Sequence, residues 1–438
     1  MTGVGVAAPE RSLTGVARRM AVSLTAMTTA GTVLQLVVTA FLGHLGGDAL
    51  YLRSVYVPFG FVSLAISEGV AVAVQVSAST LHRRGDTARI GGVLVLMAVL
   101  GVGGFGALAL LVLAASGPLE ALLAVPEGSR DAVRAFLVAL LAANGLTMVP
   151  MLAGAVLRGV GRAAAAARLA VVSTALTTGA VLAAQQLWGL GAMSVPVGFA
   201  VGSVPLGVLS WVAVRRGGVV LGWPADDTAP ALRLLREVAL PVAGSFLVLS
   251  AASLGYLWLI RDGGVAGVTG FGLGQTVQMF LIVPAIAIGS AVAITVTLHG
   301  EAARADASRM LLRLAVPAYA GIAAAVFLLR GPLVDLLTTD PAVREVAVDY
   351  LGVIGPSLLA LGTTLALLTY LEQAGRAVAA LVLNVTFFAA VLALGAALPD
   401  PLHARSLVVL LALANVAGCA CVLLSARSLL RKRKGVPA

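Results

Sequence analysis

Residues 117–137 read GPLEALLAVPEGSRDAVRAFL, and residues 331–351, 214 positions later, read GPLVDLLTTDPAVREVAVDYL. Seven of the 21 positions match without a gap, and Asp131/Glu345 and Phe136/Tyr350 are conservative replacements. Shared greasiness does not explain the match, because a Gly-Pro-Leu start and an Arg-acid pair are not generic lipid-facing residues. A second pair, ISEGVAVAVQVSASTLHRRGD at 66–86 and IAIGSAVAITVTLHGEAARAD at 286–306, matches at eight of 21 positions with an offset of 220. With the first offset, Gly161-Arg162 also falls on Gly375-Arg376. Both offsets are about half of the 438 residues, so the chain is an internal duplication.

Each copy is made of long apolar runs. Twelve stretches suffice to cross about 30 Å of hydrocarbon at about 1.5 Å per residue: 20–43, 55–80, 91–115, 133–156, 164–186, 190–213, 238–260, 269–298, 310–330, 346–371, 377–397 and 404–426. Six spans per copy return the chain to its starting side, so the second copy inserts in the same orientation as the first. The expected fold class is an all-α integral membrane protein of twelve transmembrane helices, in two six-helix bundles related by a pseudo-two-fold axis along the membrane normal. The expected organisation is an N-terminal lobe over 1–217, a cytoplasmic linker over 218–231 and a C-terminal lobe over 232–438. The linker lies in the longest polar interruption, 214–237.

Composition agrees. The chain is 60% hydrophobic and 11% charged, with a mean hydropathy of +1.04, against about 45–50% and about 25% in soluble domains. Too little polar surface exists to cover a water-soluble globule. Disorder and a disulfide framework are excluded by the low charge and by only 2 Cys. Those two, Cys419 and Cys421, lie two apart in one apolar run and point different ways on a helix. The formal charge of +10 does not signal nucleic acid. Of the 29 basic residues, 22 sit in the termini and the alternate loops on their side, and seven on the opposite side. That bias places both termini in the cytoplasm and the chain as a multi-pass protein of the plasma (inner) membrane. His44, His82, His299 and His403 show no metal spacing. Phosphate loops, nucleophile triads and paired carboxylates are missing from the sequence. Neither an enzyme nor a bound cofactor or metal is expected.

Several stretches then carry a resemblance: TAFLGHLGGDAL at 39–50, GVAVAVQVSASTLHRRGD at 69–86, VLRGVGRAAAAARL at 156–169, and AGRAVAALVLN at 374–384. In this order and spacing the chain resembles the multidrug and toxic compound extrusion (MATE) transporters over essentially its whole length. The resemblance implies secondary active export of amphipathic or cationic small molecules by alternating access between two lobes, driven by a proton or sodium gradient. The chain departs from the family where coupling is concerned. The usual acid of the first span is Val38, the fifth span has Thr177 and Thr178 without an acid, and Leu249 stands eight residues after Pro241 where some members have Glu.

The candidate for ion coupling is Glu68. It is the one acid read as deep, about 20 Å of helix from either end of its span, where a charge costs about 2.5–3.5 kcal/mol. Its repeat equivalent is Ile288. The alternative is a protonated Glu bonded to a neighbouring helix. A lone carboxylate makes a poor oxygen cage, which favours a proton over sodium. Gln35, Gln275 and Gln278 lie on the first and eighth spans, which the resemblance implies face the cleft. With Tyr256, and Trp258 beside it, they are the candidate substrate contacts; the alternative is interhelical glue. Glu372 is expected to pair with Arg376 one turn on, and Gly101, Gly103, Gly104 and Gly106 to allow close helix packing. A monomer in the lipid bilayer is expected. Two other readings remain. A lipid-linked oligosaccharide flippase of the same superfamily would want several cations on cavity-lining helices, and no arginine is read as deep. A major-facilitator-type transporter would want a signature that LHRRGDTAR at 81–89 does not show.

Overall fold

The computed structural model describes residues 13–219, 233, 235–398 and 404–431. Most of the expected linker lies outside them. Every element among the described residues is helical, as hydrocarbon demands of a chain that must satisfy its own backbone. The helices are α1 (Leu13–Leu45), α2 (Gly47–Arg83), α3 (Thr87–Ala114), a short α4 (Ser116–Leu122), α5 (Arg130–Gly159), α6 (Ala163–Trp188), α7 (Ser194–Arg216), α8 (Leu240–Leu259), α9 (Gly264–Asp335), α10 (Pro341–Leu371), α11 (Ala377–Ala396) and α12 (Ala404–Arg431). Ten segments are long and apolar enough to cross a membrane, and two shorter apolar ones, Val33–Leu45 in α1 and Ala243–Leu259 in α8, complete the twelve. Leucines and valines stand outward where lipid would lie, among them Leu187, Leu328 and Val378, each more than 70% exposed.

One difference from the sequence reading is that the eighth and ninth spans form a single helix, α9, of 72 residues. It is not straight. The Tyr319 hydroxyl donates to the Leu281 carbonyl at 2.6 Å, so the helix reverses between these two residues. Lobe 1 makes the same reversal with a break. Gly85 takes φ +76° between α2 and α3, a conformation that suits glycine, and Gly104 returns against Ile66.

The duplicated stretch is a staple, built with different residues in each lobe. In lobe 2, Arg344 Nε and Nη2 bind Asp335 at 2.5 and 3.2 Å. In lobe 1 the positional equivalent Arg130 pairs only with Glu127. Arg134, one turn later, instead binds Glu120 at 3.0 Å. Both bridges tie the end of one crossing to the start of the next on the same face of the bundle. In lobe 2 that start is fixed further by Asp340, whose carboxylate caps α10 by accepting from Ala342 and Val343, with Pro341 preset for the first helical turn.

The lobes meet through α1 and α2 on one side and α8 and α9 on the other. On the face opposite the amino terminus (the far side) contact is tight. A Cβ on Gly43 would lie 1.7 Å from the Leu337 carbonyl oxygen, and Ser54 bonds the Thr269 carbonyl at 3.3 Å. One apolar core runs through both lobes here, from Val38, Leu42 and Tyr51 to Phe271 and Tyr350. A separate core holds the near-side residues of lobe 2 together with Ala17 and Ala21 of α1. Thus α1 straddles the lobes: its outer turns belong to the shared core and its first turns to lobe 2. Of the four glycines expected to permit packing, Gly101 meets Met148 and Gly104 meets Ile66, whereas Gly103 and Gly106 face open space.

Candidate functional site

Two polar clusters occupy lobe 1. The first surrounds Glu68. The carboxyl is half-buried, and the next residue, Gly69, packs against the Ala239 carbonyl at the foot of α8. Glu68 therefore stands beside the seam between lobes. Because α2 extends from Gly47 to Arg83, Glu68 lies about 31 Å from its far end and about 22 Å from its near end, not midway. It is also not isolated. Arg158, in the last turn of α5, acts on it electrostatically while donating through Nε to Gln75 Oε1 at 2.9 Å. Under the 214 offset Arg158 corresponds to Glu372, and Glu68 to Ile288 under the other. The acid-base couple is therefore particular to lobe 1. Glu372 itself hydrogen-bonds Ser245 of α8, a partner across helices in place of the expected i+4 pair.

The second cluster centres on Arg53, which sequence reasoning left in an outer loop with the span starting at 55. The helix starts eight residues earlier, and Arg53 is buried at 8% exposure. Its Nη2 donates to Gln35 Oε1 at 2.8 Å, and its guanidinium lies 5.3 Å from the Tyr56 ring centroid. Tyr56 is held in turn by Asn144 of α5 at 2.7 Å and by Ser63 at 3.2 Å. Arg53 is therefore buried within the protein, six residues into α2, and not in a loop. A signal was present: Arg53 is the one charge in the 19-residue apolar run 49–67.

Three of the expected substrate contacts gather in lobe 2. Tyr256 meets Phe271 edge-on at 6.4 Å, and Phe271 meets Tyr350 at 5.3 Å. Gln275 accepts from Ser253 at 3.3 Å, and Gln278 accepts from the Tyr350 hydroxyl. Gln35 is not among them; it belongs to the Arg53 cluster. Trp258 stands apart, 38% exposed and stacked 4.9 Å from Arg261. Phe271 and Tyr350, which the sequence analysis did not single out, join Tyr256 as buried members of the shared core. Elsewhere Asn415 of α12 bonds across helices, donating to Ser357 of α10 at 3.1 Å. Among the described residues no group of three or more His, Cys, Asp or Glu could hold a metal ion, and both cysteines are free.

Residues 241–397 match the MatE family model. An inward-facing multidrug resistance MATE family transporter of the MOP superfamily shares 17% identity with this chain at a TM-score of 0.82, covering 95% of this chain and 99% of that one. The MatE match thus falls in the second lobe, and the whole chain has the fold of the MATE structures. A variant of the Vibrio cholerae MATE transporter VcmN is 20% identical with a TM-score of 0.73, over 97% and 98% of the two chains. An outward-facing MATE structure, 17% identical, reaches 0.72 over 96% and 97%. No curated protein matches the sequence.

Proposed function

We propose that this MATE-fold protein exports amphipathic small molecules by alternating access, coupled to proton entry through Glu68. The observation that carries the coupling is the placement of Glu68 on α2 beside the foot of α8, with Arg158 of α5 bound to Gln75 two turns along α2. The counterparts of Glu68 and Arg158 in lobe 2 are Ile288 and Glu372. Alternating access requires the two lobes to part at one face while closing at the other. A carboxyl on that seam, with a cation on a neighbouring helix, has two states open to it. It is either ionised against Arg158 or protonated and released from it, and lobe movement selects between them. The far-side closure of α1 and α2 on α9 supports a conformation open toward the amino-terminal face. Together with the 22 to 7 bias of basic residues it supports cytoplasmic termini, the lobe boundary near 218–231 and a plasma-membrane location. The cluster of Tyr256, Phe271, Tyr350, Gln275 and Gln278 supplies aromatic faces and amide groups for a flat amphipathic substrate, within a monomer.

The test is transport in proteoliposomes with imposed proton and sodium gradients applied separately. The wild type should export with a proton gradient alone. Glu68→Gln, which keeps the shape but cannot ionise, should lose gradient-driven accumulation and its pH dependence. A normally folded Glu68→Gln protein that exports at the wild-type rate and pH profile would make Glu68 structural.

A further inference from the structure

We infer that lobe 1 holds a recognition site for an anionic group, a carboxylate or phosphate, of the transported molecule, with Arg53 as its cation. The inference rests on the transport reading but not on proton coupling through Glu68. A buried guanidinium is costly unless it is paired with charge. Arg53 is 92% buried, and its one hydrogen-bond partner among the described residues is the neutral Gln35 amide. Its Nε is buried without any partner. No carboxylate among the described residues lies within ion-pair distance of it; the side chain one turn along α1 from Gln35 is Val38, apolar and buried.

The guanidinium is nonetheless held in place. Helix α1 supplies Gln35, α2 supplies the Tyr56 ring beneath the cation, and α5 supplies Asn144, which fixes Tyr56. Guanidinium groups have five donors in a planar fork that matches carboxylate and phosphate, and most of this fork is unspent. Four buried side-chain polar atoms among the described residues lack partners, and besides Arg53 Nε they include Tyr256 Oη and Thr269 Oγ1. These belong to α2, α8 and α9, which meet at the far-side contact, where Ser54 beside Arg53 bonds the Thr269 carbonyl. All three atoms can donate a hydrogen bond. An anionic group would take the unspent donors of Arg53, whereas an ammonium group would meet repulsion from it. The site would be shut in the present conformation and open as the far-side contact parts.

The experiment uses purified full-length protein in phosphatidylcholine nanodiscs and two fluorescent amphiphiles sharing one fluorophore, dansylglycine (carboxylate) and dansylcadaverine (ammonium). The wild type should bind dansylglycine saturably. Arg53→Gln should weaken it by about tenfold or more without weakening dansylcadaverine. Arg53→Lys should keep part of the affinity. Gln35→Glu retains the shape but fills the site with an internal carboxylate, and should also abolish dansylglycine binding. Each variant is matched to the wild type by monodispersity and thermal midpoint. Absence of saturable dansylglycine binding to the wild type, or equal binding to the matched Arg53→Gln protein, overturns the proposal. Repeating the titration in phosphatidylglycerol nanodiscs separates substrate from lipid. Unchanged wild-type affinity assigns the site to substrate. Loss of saturable dansylglycine binding to the wild type in phosphatidylglycerol assigns it to a lipid phosphate and overturns the substrate assignment. Transport by Glu68→Gln is read separately, so loss of proton coupling leaves this result standing.

Discussion

Gly43→Ala should unlatch the far side. A Cβ at Gly43 would lie 1.7 Å from the Leu337 carbonyl oxygen and 2.8 Å from its carbon, where real Cβ contacts essentially never fall below 3.0 Å. The gap must therefore widen by at least 1.3 Å (3.0 minus 1.7). The obstacle is backbone, so no side-chain rotation relieves it. Overpacking of this kind costs about 1–3 kcal/mol. The cost falls only on the conformation in which α1 touches the end of α9, so the closed-to-open ratio should drop by about 5–150-fold. The readout is a cysteine at Ser54, which is 1% exposed in the closed contact, in a background with Cys419 and Cys421 changed to Ser. In detergent-solubilised protein a polar maleimide should label this cysteine faster by a factor in that range once Gly43→Ala is added. Gly103→Ala, which faces open space, is the control. Unchanged labelling at position 54 in a folded Gly43→Ala protein would refute the close approach as the far-side latch.

Further outcomes follow from the same contacts. Arg134→Ala should lower the thermal midpoint, because it strands the Glu120 carboxylate, 9% exposed, at about 1–2 kcal/mol. Asp335→Asn breaks the corresponding bridge of lobe 2, which is exposed on both sides, and should change the midpoint little. Cysteines at Arg84 and Arg344 should label from opposite faces of the membrane in oriented vesicles, Arg84 from the cytoplasmic face; labelling of both from one face would break the twelve-span topology. Glu68→Gln should flatten the pH dependence of export, and Arg53→Gln should remove the preference for a carboxylate probe, each by the assays given above.

The fold was legible in the sequence because hydrocarbon is an unforgiving solvent. Length and apolarity of each run, the 22 to 7 distribution of basic residues, and the repeated Gly-Pro-Leu stretches all report constraints local to one or two turns. Such constraints also mark Glu68, a charge with no local reason to be there. What the sequence could not give is which groups converge. Arg53 looked like an interfacial residue until the start of α2 at Gly47 and the placement of Gln35 and Tyr56 around it turned it into a buried cation. Arg158 looked like a loop arginine until the last turn of α5 brought it to Glu68. The staple shows the same limit: the repeat match pairs Arg130 with Arg344, yet the folded bridge in lobe 1 uses Arg134, because the acid and the helix start have both shifted. The sequence by itself determined the number, kind and duplication of the helices, since those depend on transfer from water to lipid, residue by residue. Only the tertiary structure decided which face of each helix turns inward, and so which charges are paired and which are left for a ligand.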